Sequence, residues 1–223
     1  PKWNLTAGID FVHYSNGNTN YPNSGVNTVG ARIGLSHTLG QEAGMQHVSE
    51  HWEKLSGRQR FCYDFVVYGS TRKRGIMWDE EHGELIPGSF GVAGLNFNPM
   101  YIVNKYFRTG ISIDAQYDES ANLREFRVEG TSGENIKFYR PPFREQIAVG
   151  VSLRAELNMP IFSVNVGIGH NLFFTGEDTR GFYQILALKT FLTRHVFLHV
   201  GYQLNNFKNP NNLMLGIGYR FGR

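Results

Sequence analysis

Period-two alternation that places charged residues on its small-residue face constrains this chain more than any other feature. Val149, Val151, Leu153, Ala155 and Leu157 alternate with Gly150, Ser152, Arg154 and Glu156. The pattern recurs in Phe162, Val164, Val166 and Ile168 opposite Ser163, Asn165, Gly167 and Gly169, and in Leu213 to Phe221 opposite Met214, Gly216, Gly218 and Arg220. A period of two is the signature of a β-strand with two unlike faces. In the core of a soluble sandwich, Arg154 and Glu156 would each cost several kcal/mol unless paired, whereas the polar lumen of a transmembrane barrel accepts them. The expected fold is therefore an all-β, antiparallel transmembrane barrel of the outer-membrane type, forming one domain over residues 1–223.

Composition supports that choice. No stretch approaches the roughly 18 to 20 uninterrupted apolar residues that a spanning helix needs. Yet 17 Phe, 11 Tyr and 26 Gly accompany a mean hydropathy of only -0.33, as lipid-facing and lumen-facing residues average out. The 22 basic and 19 acidic residues leave a charge of +3 without a basic stripe, which argues against nucleic acid. Cys62 is the sole cysteine, so an intrachain disulfide is excluded. The sequence opens at Pro1 with neither Met nor a signal peptide, and is expected to be the C-terminal part of a longer protein whose further strands complete the barrel.

Ten strands are predicted, at 3–15, 26–38, 59–71, 88–98, 100–117, 143–157, 160–172, 181–192, 194–204 and 212–221. Tight turns near Asn98-Pro99, Asn158-Pro160 and Thr193-Arg194 interleave with longer segments at 118–142, 173–180 and 205–211. Barrels of the outer membrane show that asymmetry, with short periplasmic turns and long external loops. Counting back from a last strand that ends in the periplasm at Tyr219-Arg220-Phe221 places loop 16–25 outside the cell. Met45, Val48, Trp52 and Leu55 fall at helical spacing, so a short periplasmic helix is expected over 41–55.

The first hairpin carries the candidate chemistry. Trp3, Leu5, Ala7, Ile9 and Phe11 form its apolar face, and His13 and Ser15 continue the same phase. On the return strand Asn27 is in phase with Val29, Ala31, Ile33 and Leu35. With the loop centred near Asn20, antiparallel pairing sets His13 opposite Asn27 and Ser15 one step from each. A Ser, a His and a third polar group are the minimal nucleophile, base and orienter for ester hydrolysis. On spacing alone the plainer reading, polar residues where a strand leaves the membrane, carries more weight.

The run His13-Tyr14-Ser15-Asn16-Gly17, followed by Pro22-Asn23-Ser24-Gly25-Val26-Asn27, resembles the signature of the PagL-type lipid A 3-O-deacylases. The wider run Leu5 to Leu35 resembles the larger acyloxyacyl hydrolases of that family from Bacteroidetes. The resemblance implies an outer-membrane esterase that needs no cofactor or metal and removes the ester-linked 3-hydroxyacyl chain from lipid A of lipopolysaccharide. It further implies His13 as general base, Ser15 as nucleophile, and Asn16 with the backbone around Gly17 and Asn18 as oxyanion donors. The family has further strands before the motif. Where its best-known members have Glu, this chain has Asn27, which can orient a His but cannot stabilise an imidazolium by charge. Expected partners are lipid A and outer-membrane lipids, with a homodimer or a larger envelope complex as the assembly.

Other constellations are weaker. His47-Val48-Ser49-Glu50-His51 matches an inverted zinc-peptidase pattern without a further ligand on a packed helix. Asp79, Glu80, Glu81, His82 and Glu84 have the composition of a solvated external loop more than of a cation site. Arg72, Lys73 and Arg74 end a strand on the external side, as a plain interfacial charge run or a grip on lipopolysaccharide phosphates. The rival to the esterase is a non-catalytic barrel, either a structural subunit of an envelope complex or a channel. A channel requires an open polar lumen, a deacylase a filled one.

Overall fold

Alternation predicts which side chains face each other, and the structure closes those faces into a lumen. The computed structural model describes residues 2–15, 25–38, 60–77, 83–128, 137–207 and 209–222. Its strands are β1 (Lys2–Tyr14), β2 (Val26–Thr38), β3 (Phe61–Arg72), β4 (Gly75–Met77), β5 (Gly83–Leu85), β6 (Phe90–Ile102), β7 (Phe107–Asp118), β8 (Ile147–Asn158), β9 (Phe162–Phe173), β10 (Phe182–Phe191), β11 (Val196–Asn205) and β12 (Asn209–Phe221). Eight of them close an antiparallel barrel in the order β3-β6-β7-β8-β9-β10-β11-β12, with β12 returning to β3 through pairs from Leu215↔Gly69 to Phe221↔Tyr63. The fold is the expected outer-membrane type of barrel. Its ring has eight strands, and among the described residues β1 and β2 pair with each other in a two-stranded sheet. The chain divides into two compact units, one holding this hairpin and the other the barrel. Alternation assigns a strand its faces but not its neighbours, and β3 supplies the edge that closes on β12.

Inside and outside follow the alternation. Arg154, Glu156, Asn165 and Arg220 are buried in the lumen, while Leu153 and Ile217, 65% and 59% exposed, point out. Phe65, Val67, Ile111, Ile113, Leu186, Leu188, Val200 and Leu215 continue the apolar exterior. Around the end that carries residue 61, outward Phe61, Tyr63, Tyr219 and Phe221 form an aromatic girdle; Tyr63 and Phe221 stack with centroids 5.4 Å apart. Such girdles mark the level where barrel strands leave the hydrocarbon.

The lumen is held by ion pairs in which the oxygens of Asp64, Glu156 and Asp114 are all engaged. Asp64 accepts from Lys189 Nζ at 2.7 Å and from Arg220 Nε and Nη2 at 2.5 and 2.6 Å. Glu156 accepts from Lys189 Nζ at 2.6 Å, Arg220 Nη2 at 2.7 Å and Arg108 Nη1 at 2.9 Å. Nearer the opposite end, Asp114 accepts from Ser112, Ser152, Tyr183 and Arg154, all within 2.5–2.7 Å. Taking these charges out of water is costly, and only such multiple bonding offsets it. Glycines on the inner face make room for the large side chains: a Cβ on Gly218 would lie 2.1 Å from the Phe197 ring. The cavity lined by Tyr68, Asp114, Tyr183 and Asn211 measures only about 20 Å³, room for about one water.

The loops divide as expected. Turns 103–106, 159–161 and 192–195 lie at one end, and the described residues that follow β3, β7, β9 and β11 lie at the other. One turn was expected elsewhere. Instead of turning at Asn98-Pro99, β6 runs through to Ile102, with Tyr63↔Pro99 paired to β3. Proline removes a donor on its β7 side, and Gly110 accommodates the close approach there, since a Cβ on it would meet the Pro99 carbonyl oxygen at 2.1 Å. At the long-loop end Asn122, at φ +57°, ties three loops together. Its Nδ2 donates to the Glu145 and Thr175 carbonyls at 2.9 and 2.6 Å. Its backbone N donates to Asp178 at 2.9 Å, and Asp178 also receives Arg74.

Candidate active site

The site begins with the hairpin's two faces. From Lys2↔Thr38 the register reaches His13↔Asn27 and Tyr14↔Val26 without a shift, as the sequence phase requires. One face carries Trp3, Leu5, Ile9 and Phe11 from β1 with Val29, Ile33 and Leu35 from β2, each 65% to 83% exposed. Trp3 packs on His37 across the pair, with ring centroids 4.3 Å apart. The opposite face is polar or small: Thr6 donates to the Gly34 carbonyl at 3.2 Å, and Asp10 lies 3.6 Å from Arg32. In water a continuous apolar face of this size is a liability; in lipid it is the ordinary exterior of a barrel. His13 and Asn27 stand at the end of that face.

The two polar side chains meet. His13 Nδ1 lies 2.6 Å from Asn27 Oδ1. An amide oxygen only accepts, so Nδ1 carries the proton and donates it to Asn27, which leaves Nε2 as the nitrogen turned to other partners. Gly25 lies against the other side of the ring. A Cβ there would come 2.8 Å from His13 Cε1 and 3.5 Å from Nε2, and its φ of +63° is the left-handed region that glycine favours. Gly25 therefore combines the turn into β2 with the open space beside the basic nitrogen. Ser15, exposed, is the first residue after β1 and shares the phase of His13. The arrangement supplies an oriented imidazole two residues along the chain from a hydroxyl, the pair on which nucleophilic ester chemistry is built.

Of the residues singled out from the sequence, His13 and Asn27 are brought together and Ser15 stands beside them in the chain. Asn16, Gly17 and Asn18 lie outside the described residues, as do segment 41–55 with His47 and His51, and Asp79 to His82. Arg72 and Arg74 are engaged within the barrel unit: Arg72 turns inward to Asp118 at 3.0 Å and to Asn211, and Arg74 pairs with Asp178. These two side chains thus serve the barrel's own carboxylates. Gly25 was the functional position without a role at the sequence level. Its signal was a glycine two residues before the strand position that faces His13.

Comparison with known proteins divides the chain where the fold does. A family model described as the acyloxyacyl hydrolase C-terminal domain matches residues 61–223, and the model of the lipid A 3-O-deacylase PagL matches residues 1–36. No curated protein matches the chain. Among solved structures it is similar to a de novo designed transmembrane β-barrel, at 11% identity over 74% of this chain and 98% of that one, with a TM-score of 0.39. It is also similar to Ail, the attachment invasion locus protein of Yersinia pestis, at 15% identity over 73% of this chain and 99% of that one, with a TM-score of 0.40.

Proposed function

The chain belongs to the acyloxyacyl hydrolase C-terminal domain family, and from that premise we propose that its N-terminal hairpin carries an esterase site that removes the 3-hydroxyacyl chain from lipid A in the bacterial outer membrane. The observation that carries this reading is the 2.6 Å contact of His13 Nδ1 with Asn27 Oδ1 at the end of a lipid-type face, next to Ser15. A nucleophile placed there meets an ester at the membrane surface without extracting the lipid.

In the proposed reaction, Ser15 Oγ attacks the carbonyl carbon of the ester while His13 Nε2 takes the hydroxyl proton. Asn27 holds the ring through Nδ1–H, so that Nε2 is the nitrogen turned to the nucleophile. The C–O bond to the sugar breaks, and His13 returns its proton to the departing glucosamine oxygen. Water then attacks the acyl-serine by the same route and releases the 3-hydroxy acid. Asn16 and the backbone of Gly17 and Asn18 are assigned to the developing oxyanion by family resemblance. With Asn27 in place of a carboxylate, orientation is retained while the charge that would stabilise the imidazolium is not.

The filled lumen of the barrel unit weighs against a channel as its main role. A homodimer or larger envelope complex is the assembly proposed for the chain. The test is release of free 3-hydroxy fatty acid from lipid A by the purified chain in detergent micelles. The parent releases it and Ser15→Ala does not; equal release from both removes Ser15 from the reaction.

A further inference from the structure

The long-loop end of the barrel carries a feature that the esterase reading does not use. Tyr117 ends β7 on the outward face, and the segment Tyr139 to Arg144 lies against it. Phe143 packs on the Tyr117 ring with centroids 5.8 Å apart, and Arg140 Nη2 donates to the Tyr117 hydroxyl at 3.4 Å. The outward rings of Tyr139 and Phe143 are nonetheless 65% and 68% exposed. Below them run the lipid-facing rows Ile111 and Ile113 of β7 and Val151 and Leu153 of β8. The rings thus stand at the upper border of the apolar exterior, where aromatic side chains anchor a barrel.

Among the described residues, neither arginine of this segment has a carboxylate closer than 3.9 Å. Arg140 is exposed, it donates to the Tyr117 hydroxyl, and Glu119 acts on it only by its longer-range charge. Arg144, with its side chain 81% exposed, has the Glu145 carboxylate no closer than 3.9 Å. That carboxylate is turned inward, where Asn122 Nδ2 donates to it at 3.2 Å. By contrast, Arg72, Arg74 and Arg180 at the same end hold carboxylates at 3.0 Å or less. Pro141 and Pro142 restrict the backbone between the two arginines, which lowers the cost of ordering this segment around a ligand.

We infer that Arg140 and Arg144, each next in sequence to an exposed ring, Tyr139 or Phe143, form a binding site for the phosphate of a membrane-lipid headgroup. Guanidinium forks match phosphate oxygens in geometry and charge. The flanking exposed rings, continuous with the lipid-facing rows, select a phosphate that carries acyl chains over a free anion. The site belongs to the barrel unit and does not depend on the esterase chemistry of the hairpin.

The test is a titration of the full chain in detergent micelles with dioleoyl phosphatidic acid, the lipid-bound fraction being read by native mass spectrometry. Dioleoylglycerol serves as the phosphate-free control. Binding weakens about tenfold or more in Arg140→Gln/Arg144→Gln, and by a smaller factor in each single variant, as expected for loss of charge-assisted bonds. Arg180→Gln, which removes an exposed charge already paired with Glu177, leaves binding unchanged. Tyr139→Ala/Phe143→Ala weakens it several-fold. Heat-modifiable gel mobility verifies that each variant is folded, and the single variants carry the test should the double variant misfold. Binding in the arginine variants equal to the parent overturns the proposal. So does an equal loss in Arg180→Gln, which would mark general charge attraction, or retention of dioleoylglycerol as tight as that of phosphatidic acid. Displacement of the lipid by an equal concentration of inorganic phosphate would overturn the assignment to a lipid headgroup.

Discussion

Replacing Glu156 by Gln keeps the shape of the lumen and removes one negative charge from its centre. Glu156 is fully buried and accepts from Lys189, Arg220 and Arg108 at 2.6, 2.7 and 2.9 Å. In the variant, Asp64 alone would face three cations, and the new amide would turn a donor toward one of them. A hydrogen bond to a charged group contributes about 1.5–3 kcal/mol and a neutral one about 0.5–1.5, so the three bonds together lose about 3 kcal/mol. That matches the lower end of the roughly 3–5 kcal/mol lost when one member of a buried ion pair is removed. With a urea slope of about 2 kcal/mol per M, the unfolding midpoint in micelles falls by about 1.5–2 M, measured by far-UV circular dichroism. Adding Arg108→Gln removes the surplus cation, so the double variant is more stable than the sum of the single effects by about 1–3 kcal/mol. A midpoint change under about 0.5 M, or single effects that add within about 0.3 kcal/mol, would refute charge balance as what organises the lumen.

Four further outcomes are expected. Gly25→Ala puts a methyl 2.8 Å from His13 Cε1 at a φ of +63°, so esterase rate in micelles falls by about tenfold or more while the barrel's unfolding midpoint holds. Asn27→Glu raises that rate by adding charge to the orienting contact, and Asn27→Ala lowers it; equal rates in parent and both variants would remove Asn27 from the mechanism. Leu153→Arg, on the outward face, destabilises the barrel by about 2–4 kcal/mol in denaturant titration. Asn122→Ala cuts the ties among the long loops, and hydrogen exchange rises in residues 174–181 ahead of the strands.

Much of the barrel was legible because its lumen is charged. Arg154, Glu156 and Arg220 break an otherwise apolar strand at alternate positions, and the sense of every outward face follows from them. What alternation leaves open is which edges pair. Nothing in the period of β1 and β2 distinguishes two strands of this ring from a separate hairpin, whereas the edge match of β12 to β3 is a property of the closed ring. Pro99 looked like a turn because proline is rare in central strands; Gly110, registered with Met100 and relieving the approach of the Pro99 carbonyl, is visible only once β6 and β7 are paired. β4 and β5 are three residues each, too short to show a period. The His13–Asn27 contact was readable from phase and loop length, since an antiparallel hairpin fixes which residues stand opposite. Gly25 was not, because its position against the imidazole depends on the backbone turn before β2.

The esterase reading is tested most directly by mass spectrometry of lipid A from bacteria expressing the parent chain or its Ser15→Ala variant, with equal amounts of folded protein verified in the outer-membrane fraction. The parent is expected to yield lipid A lighter by one 3-hydroxyacyl group, and the variant lipid A of unchanged mass. Unchanged lipid A from both, or the same loss from both, would contradict a deacylase built on Ser15.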